Sequence, residues 1–414
     1  FIDMDCNSIA EYIRAGAKPS ENIGVELEHF VTGADGSCVG YYGENGMGAV
    51  LEGLARFFDE KFYSEGQLIA LSNGRYHLTL EPAAQLEISI EPLGSVDEIR
   101  AAYGEFSQLI APELEKRGLR LLEYGYMVRG AAADAPLIPK KRYEFMDRYF
   151  KSSGRYGINM MRGTASAQVS IDYSDERDCI KKFRLANALS PLFALICDNS
   201  PVFENKPYAG RMARTMIWSD VDAERCGIVR GGVEPDFTAD KYAEYILNVP
   251  AIFTERGGKA VYTGRKRIGE LYETMTRGDV EHVLSMVFPD VRLKNYIEIR
   301  PADSMPIEYT LSYAALVKGI FRRTDEISRA IELDKIKTHE AENAKAELMR
   351  HGFDGEIYGI NAHGLLLYLL DTAKSALDAA DAKYLAEIGE IITTKTTLKD
   401  RAEAILNNGG ERKC

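Results

Sequence analysis

Apolar and polar residues alternate strictly along Gly24-Val25-Glu26-Leu27-Glu28-His29-Phe30. This is the period-two pattern of a strand with one buried face and one face carrying two carboxylates. A single strand of this kind is ordinarily a solvated edge, but the pattern returns in His77–Glu81, Gln85–Glu91, Gln168–Asp172 and Tyr296–Arg300. Placed in one sheet, the five segments turn their apolar parity toward covering helices. The other parity gathers Glu26, Glu28, Glu81, Glu87, Asp172 and Glu298, with little cation among them apart from Arg300.

Helical spacing between these segments predicts helices over Ser8–Lys18, Ala49–Phe62, Ser95–Arg117, Lys140–Phe150, Ser174–Asn187 and Val280–Val291, and Leu119–Val128 reads as a further strand. Arg75–Glu91 reads as a hairpin turning at Glu81-Pro82-Ala83-Ala84-Gln85, which lets Glu81 and Glu87 face one site. Gly33–Gly48 is a glycine-rich loop. It lacks the lysine and spacing of a phosphate-binding loop and reads instead as a flexible lid. From about residue 308 the chain is helical by periodicity, with no catalytic cluster. The pattern predicts an α+β catalytic domain over residues 1–330 and a helical region over 331–414 packed on it.

The chain has 414 residues, 45% of them apolar, enough to bury a substantial core. Its 51 basic and 63 acidic residues leave a net charge of -12, which argues against nucleic acid or an anionic membrane as partner. Six cysteines without a C-x-x-C pair read as free thiols. With no secretory leader recognised and no apolar run long enough to span a bilayer, the expectation is a cytoplasmic protein, monomer or homodimer, acting on small molecules. The six histidines show no metal-ligand spacing, and His29 and His77 read as structural.

Carboxylates crowded on one face either raise one another's pKa or are neutralised by a cation. Oxygen-only ligands suit Mg2+ or Mn2+, and such ions bring nucleotide phosphates with them, which points to ATP. Arg211–Arg225 adds several arginines and the only tryptophan, Trp218, in an irregular segment. Planar guanidinium groups pair with carboxylate or phosphoryl oxygens, so this stretch is a candidate substrate clamp, or else an ordinary surface loop. Lys181, Lys182 and Arg184 meet either phosphates or water.

Longer motifs sharpen the picture. Gly24–Phe30, LEPAAQLEIS (80–89), MMRGTASAQVSIDY (160–173), IKKFR (180–184), ARTMIWSDVDAERCG (213–227) and FPDVRLKNYIEIRPADSMP (288–306) together resemble the plant-like glutamate–cysteine ligases. The resemblance implies a glutamine-synthetase-like funnel floored by an antiparallel sheet, with ATP and metal ions held against it. It implies Glu26, Glu28, Glu81, Glu87 and Glu298 as metal ligands. Gln168 would stand beside ATP where related ligases carry a ligand histidine, and Lys182 would lie near the phosphates. Arg214 and Arg300 become candidates for catalysis, Arg300 also for the nucleotide. Arg214, Arg225, Arg162, Arg292 and Trp218 become candidates for binding substrate. The implied reaction joins the γ-carboxyl of glutamate to the amine of cysteine through a γ-glutamyl phosphate. Where the family has paired glycines, this chain has Ala83-Ala84 and Ser304-Met305, and Pro301 follows Arg300. These departures leave a different amino acid or small amine, and a non-catalytic relative, as alternatives. A carboxylate-pair glycosidase would need only two of the acids and no arginine clamp.

Overall fold

In a computed structural model describing residues 6–256 and 259–407, the first alternating stretch lies within strand β1, Ile23–Thr32. Ile23, Val25 and Leu27 are sealed against the interior, while Glu26 and Glu28 keep partial access on the other side. The strands that join it are β2 (Glu60–Ser64), β3 (Gln67–Ser72), β4 (Tyr76–Leu80), β5 (Leu86–Leu93), β6 (Arg120–Leu122), β7 (Ala167–Ile171), β8 (Val291–Leu293) and β9 (Ile297–Ile299). They form one sheet in the order β8-β9-β7-β1-β5-β4-β3-β2, with β6 pairing the far end of β1. Every pairing is antiparallel. All five alternating segments therefore share one sheet, and the α+β, antiparallel expectation holds.

The back of the sheet is covered by three helices. Val96–Glu115 starts at a capping box between Ser95 and Glu98 and packs on β5. Glu176–Ile196 packs on β8 and β9, and Ile307–Phe321, buried at every position from Thr310 onward, packs on β1 and β7. The Glu176–Ile196 helix extends past its expected end through Pro191. A proline there removes the N–H that would reach the Asn187 carbonyl. The Ser190 hydroxyl donates to that carbonyl instead, at 3.0 Å. The C-terminal helices dock on this layer, with Tyr358 donating to the Ala188 carbonyl (2.7 Å) and Ser312 accepting from the Ile388 N–H (3.0 Å).

Several expected elements differ. The helix predicted over Ala49–Phe62 is Met47–Leu54 followed by a short turn, and residues 60–72 form the β2–β3 hairpin. Its turn is Glu65-Gly66 with φ of 51° and 78°, the left-handed pair that suits a two-residue hairpin loop. β2 is an edge strand exposed along most of its length, so no apolar alternation announces it. The strand expected over 119–128 is reduced to Arg120–Leu122, with a single antiparallel bridge from Tyr126 to Thr164, and the helix expected over 280–291 is Arg277–Leu284. A second hairpin, Pro250–Arg256 with Lys259–Arg267, lies against the Lys141–Phe150 helix, where Phe145 meets Phe253 and Tyr262. None of the described helices is long and apolar enough to cross a membrane.

Candidate active site

Register decides which side chains meet on the front of the sheet, since residues directly opposite one another share a face. Arg292, Glu298, Ser170 and Gly24 form one row across β8, β9, β7 and β1. Gln168, Glu26 and Ser89 form the next, and Glu28, Glu87 and Thr79 a third. The β4–β5 turn brings Glu81 alongside: the Glu81 N–H donates to the Gln85 carbonyl and the Ala84 N–H to the Glu81 carbonyl, each at 2.9 Å. Gln85 ties the turn to the Thr164 carbonyl at 3.0 Å. Ala84, one of the residues standing in for glycine, adopts a left-handed backbone with φ 69°.

Above these rows lies a cavity of about 250 Å³ lined by Glu26, Glu28, Glu81, Glu87, Arg214 and Arg300 among others. Among the described residues the Glu26 carboxylate has no hydrogen-bond or ion-pair partner. Burial, then Glu87 and Glu298, push its pKa up to about 8. Burial and the neighbouring Glu81 and Glu87 raise Glu28 to about 8, despite bonds from the Ser166 N–H (2.7 Å) and hydroxyl (3.0 Å). Burial and Glu81 raise Glu87 to about 7. Glu298 behaves oppositely. Burial alone would raise it, but Arg292 (2.7 and 3.1 Å), Lys294 (3.0 Å) and Arg300 (3.1 Å) hold it well below the usual carboxylate range.

One wall of this cavity is shared with a second cavity of about 240 Å³. Arg214, Trp218, Phe288 and Arg300 face both. Arg214 and Trp218 lie four residues apart on the Ala213–Trp218 helix, so they stand on one side of it. The Arg214 Nη1 donates to the carbonyls of Arg300, Pro301 and Ala302 at 3.1–3.4 Å, while Arg214 Nε and Trp218 Nε1 are buried without a partner. Arg300 spans the wall and donates to Gln168 Oε1 at 2.7 Å.

The model of glutamate-cysteine ligase family 2 (GCS2) matches residues 22–402. The chain belongs to that family. Among its relatives, glutamate–cysteine ligase B, chloroplastic, of Oryza sativa subsp. japonica is 30% identical, covering 96% of this chain and 82% of the relative. The chloroplastic enzyme of Brassica juncea is also 30% identical, over 93% of this chain and 78% of the relative. A solved structure of the prokaryotic ubiquitin-like protein Pup with its ligase PafA aligns at a TM-score of 0.41 and 10% identity, covering 96% of this chain and 67% of that one. The expectation of a glutamate–cysteine ligase is borne out at the level of family. That of a cytoplasmic protein is not: these relatives are named as chloroplastic enzymes. Cysteine usage cannot separate two reducing compartments.

In this family 2 ligase the structure brings most, not all, of the expected residues together. Glu26, Glu28, Glu81, Glu87, Gln168, Arg214, Trp218, Arg292 and Arg300 line the acidic cavity, whereas Glu298 sits behind its three cations, outside the lining. Among the described residues no three His, Cys, Asp or Glu side chains stand close enough to hold a metal ion as they are. Arg225 is not a substrate residue here. It is fully buried, bonded to Asp222 (2.8 Å) and to the carbonyls of Met286 (2.5 Å) and Pro250 (2.8 Å), and it ties the 211–227 segment to its neighbours. Arg162 is likewise structural, held by Asp147 (3.0 Å) and the Ala135 carbonyl (2.8 Å). Lys182 bonds the Asp172 carbonyl (2.9 Å) and pairs with Asp178 (2.8 Å), away from the acids. Asp172 follows the end of β7 and pairs with Lys18 at 2.9 Å, so it does not join the acidic face.

Sequence reasoning missed Arg142, Tyr143 and Lys294, which also line the cavity. Arg142 belongs to the basic run Lys140-Lys141-Arg142 at the start of the expected Lys140–Phe150 helix. Of that run Lys141 is exposed, but Arg142 turns inward to the Ser285 hydroxyl (3.0 Å) and carbonyl (2.9 Å). The second cavity is lined in part by Glu342 and Lys345, from the helical region in which the sequence showed no cluster.

Proposed function

We propose that this protein uses ATP to join the γ-carboxyl of L-glutamate to the amino group of L-cysteine through a γ-glutamyl phosphate, releasing ADP and phosphate. The observation carrying this reading is the wall of Glu26, Glu28, Glu81 and Glu87, which among the described residues has no cation paired to it in an ion bridge and stands beside the buried Arg214 and Arg292 and the half-buried Arg300. A hard divalent cation fits that donor set, since every ligand is a carboxylate oxygen and burial, followed by mutual repulsion, raises the pKa values of Glu26, Glu28 and Glu87. Mg2+ is the ion proposed, with Mn2+ able to replace it. The bound cation supplies charge neutralisation for the phosphates.

The protein's own residues do the rest. Arg214, with its unpartnered Nε, and Arg300 receive oxygens of the γ-carboxyl and the transferring phosphoryl group, offsetting charge that would otherwise resist the approach of two anions. Glu298 accepts hydrogen bonds from Arg292 and Arg300 and so orients both guanidinium groups. The buried surroundings exclude water that would hydrolyse an acyl phosphate. The test is phosphate release from ATP with glutamate and Mg2+ against a panel of amino acids and amines. Turnover selective for cysteine is expected. Turnover with another amine alone replaces cysteine as the acceptor, and no glutamate-dependent phosphate release overturns the reading.

A further inference from the structure

Two buried carboxylates that line neither cavity, Asp198 and Asp303, hold the segments on which Arg214 stands. Asp198 follows the Glu176–Ile196 helix and accepts from the Met212 N–H at 2.7 Å. Met212 has a left-handed backbone, φ 54°, which a residue with a side chain adopts only when its surroundings hold it there. The Ala213–Trp218 helix starts from that residue and carries Arg214 at its second position and Trp218 at its last. Asp303 secures the facing segment. Its Oδ2 accepts from the Asn199 N–H (2.8 Å) and the Ser200 hydroxyl (2.7 Å), the two residues that follow Asp198. Gly125 leaves room for this arrangement, since a Cβ there would lie 2.2 Å from Asp303 Cγ. Asp303 also directly follows the carbonyls of Arg300, Pro301 and Ala302 that receive Arg214 Nη1. Burial pushes the Arg214 pKa down, and among the neighbouring acids Asp303, ahead of Glu28, works most strongly against that shift.

We infer that Asp198 and Asp303 are positioning residues for the transfer step: Asp198 fixes the backbone from which the Arg214 helix starts, and Asp303 pins the turn whose carbonyls hold the guanidinium and supplies negative charge that favours its cationic form. This rests on the ligase reading, in which Arg214 receives oxygens of the γ-carboxyl and the phosphoryl group. Placement matters there, because a donor that is slightly displaced loses much of its contact with the reacting oxygens. Both acids act through Arg214, and neither touches substrate.

The test uses the whole enzyme, with denaturant melts to confirm that each variant is folded. Asp303→Asn keeps an oxygen for the Asn199 N–H and the Ser200 hydroxyl but removes the charge. It should lower kcat about tenfold and leave the KM for ATP within about twofold. In an Arg214→Lys background the same change should cost less than about twofold, because the group through which Asp303 acts is already lost. Asp198→Ala removes the acceptor for the Met212 N–H, so it should lower kcat about tenfold and move the emission of Trp218, the chain's only tryptophan, to the red. Asp198→Asn keeps an acceptor oxygen and should restore most of both changes. An unchanged kcat in Asp303→Asn or Asp198→Ala, a full further loss from Asp303→Asn on top of Arg214→Lys, or equal losses in the two Asp198 variants overturns the positioning role and leaves the ligase reading standing. The Asp198 pair decides alone where Asp303→Asn does not fold. Absence of glutamate-dependent phosphate release in the wild type overturns both.

Discussion

Glu26 and Glu298 lie on the same face of the same sheet, two strands apart, and their surroundings drive them in opposite directions. Glu26 has no ion-paired cation among the described residues and is pushed up to about 8 by burial and by Glu87. Glu298 is more deeply buried, yet Arg292, Lys294 and Arg300 hold it ionised. Burial alone therefore does not decide what a carboxylate in this site does. The acids of β1 and β5 are the ones proposed to take positive charge from outside the chain, and the acid of β9 organises positive charge that the chain supplies.

The sharpest way to break this comparison is to neutralise each acid. Glu26→Gln should lower turnover about 1000-fold, because a carboxylate proposed to hold the cation is lost. It should also raise metal-free stability by about 1 kcal/mol by relieving repulsion. Glu298→Gln should abolish turnover as well but lower stability by about 3 kcal/mol, since the buried Arg292 and the half-buried Lys294 and Arg300 lose their shared counter-ion. Denaturant melts of the two variants with chelator present check this, and a shift of the same sign in both would dissolve the contrast.

The two arginines once grouped together separate in the same manner. Arg214→Lys should lower kcat about 100-fold with little change in Tm, because a lysine cannot replace a planar, forked contact at the reacting oxygens. Arg225→Lys should cost about 3 kcal/mol of stability, since Arg225 caps the Met286 and Pro250 carbonyls inside the core, while the KM for glutamate stays unchanged in whatever fraction folds.

The acidic wall also predicts a pH dependence. Glu26, Glu28 and Glu87 have folded pKa values raised above those of the unfolded chain, so the folded state binds more protons between about pH 4.5 and 8. Their favourable, protonated contribution is complete below pH 4.5 and is lost as pH rises through 7 to 8. Metal-free Tm should fall by about 5 °C across that window, and saturating Mg2+ should remove the fall. A Tm rising over the same range without metal would contradict the assignment.

Much of this site was legible in the sequence because period-two alternation fixes which residues share a face, and Glu26, Glu28, Glu87, Gln168 and Glu298 all follow it. Glu81 was legible from its hairpin turn. The misreadings arose where partners come from distant segments. The fate of Arg225 depends on Asp222, Met286 and Pro250, and that of Asp172 on Lys18. β2 was hidden because an exposed edge strand needs no apolar parity, and the chamber at Lys345 because its walls come from four separate stretches of chain.

The smallest effect concerns the departures from the family's glycines. Ala84→Gly relieves a left-handed backbone worth about 1 kcal/mol but restores a similar amount of chain entropy to the unfolded state. Tm should move by less than about 2 °C and the KM for ATP should stay the same. A large loss of activity would mean that the stiffness of this turn, rather than its shape, positions Glu81.

The most direct measurement follows the oxygen that the arginine wall is proposed to hold. Glutamate labelled with heavy oxygen in its γ-carboxyl is turned over with ATP, Mg2+ and cysteine, and the products are analysed by mass. Transfer of one labelled atom to inorganic phosphate is the predicted result, because the amine attacks the acyl carbon and the phosphoryl group leaves with the oxygen it received. Label in AMP would contradict the account, since the carboxylate would then have attacked the α-phosphorus rather than the γ-phosphorus.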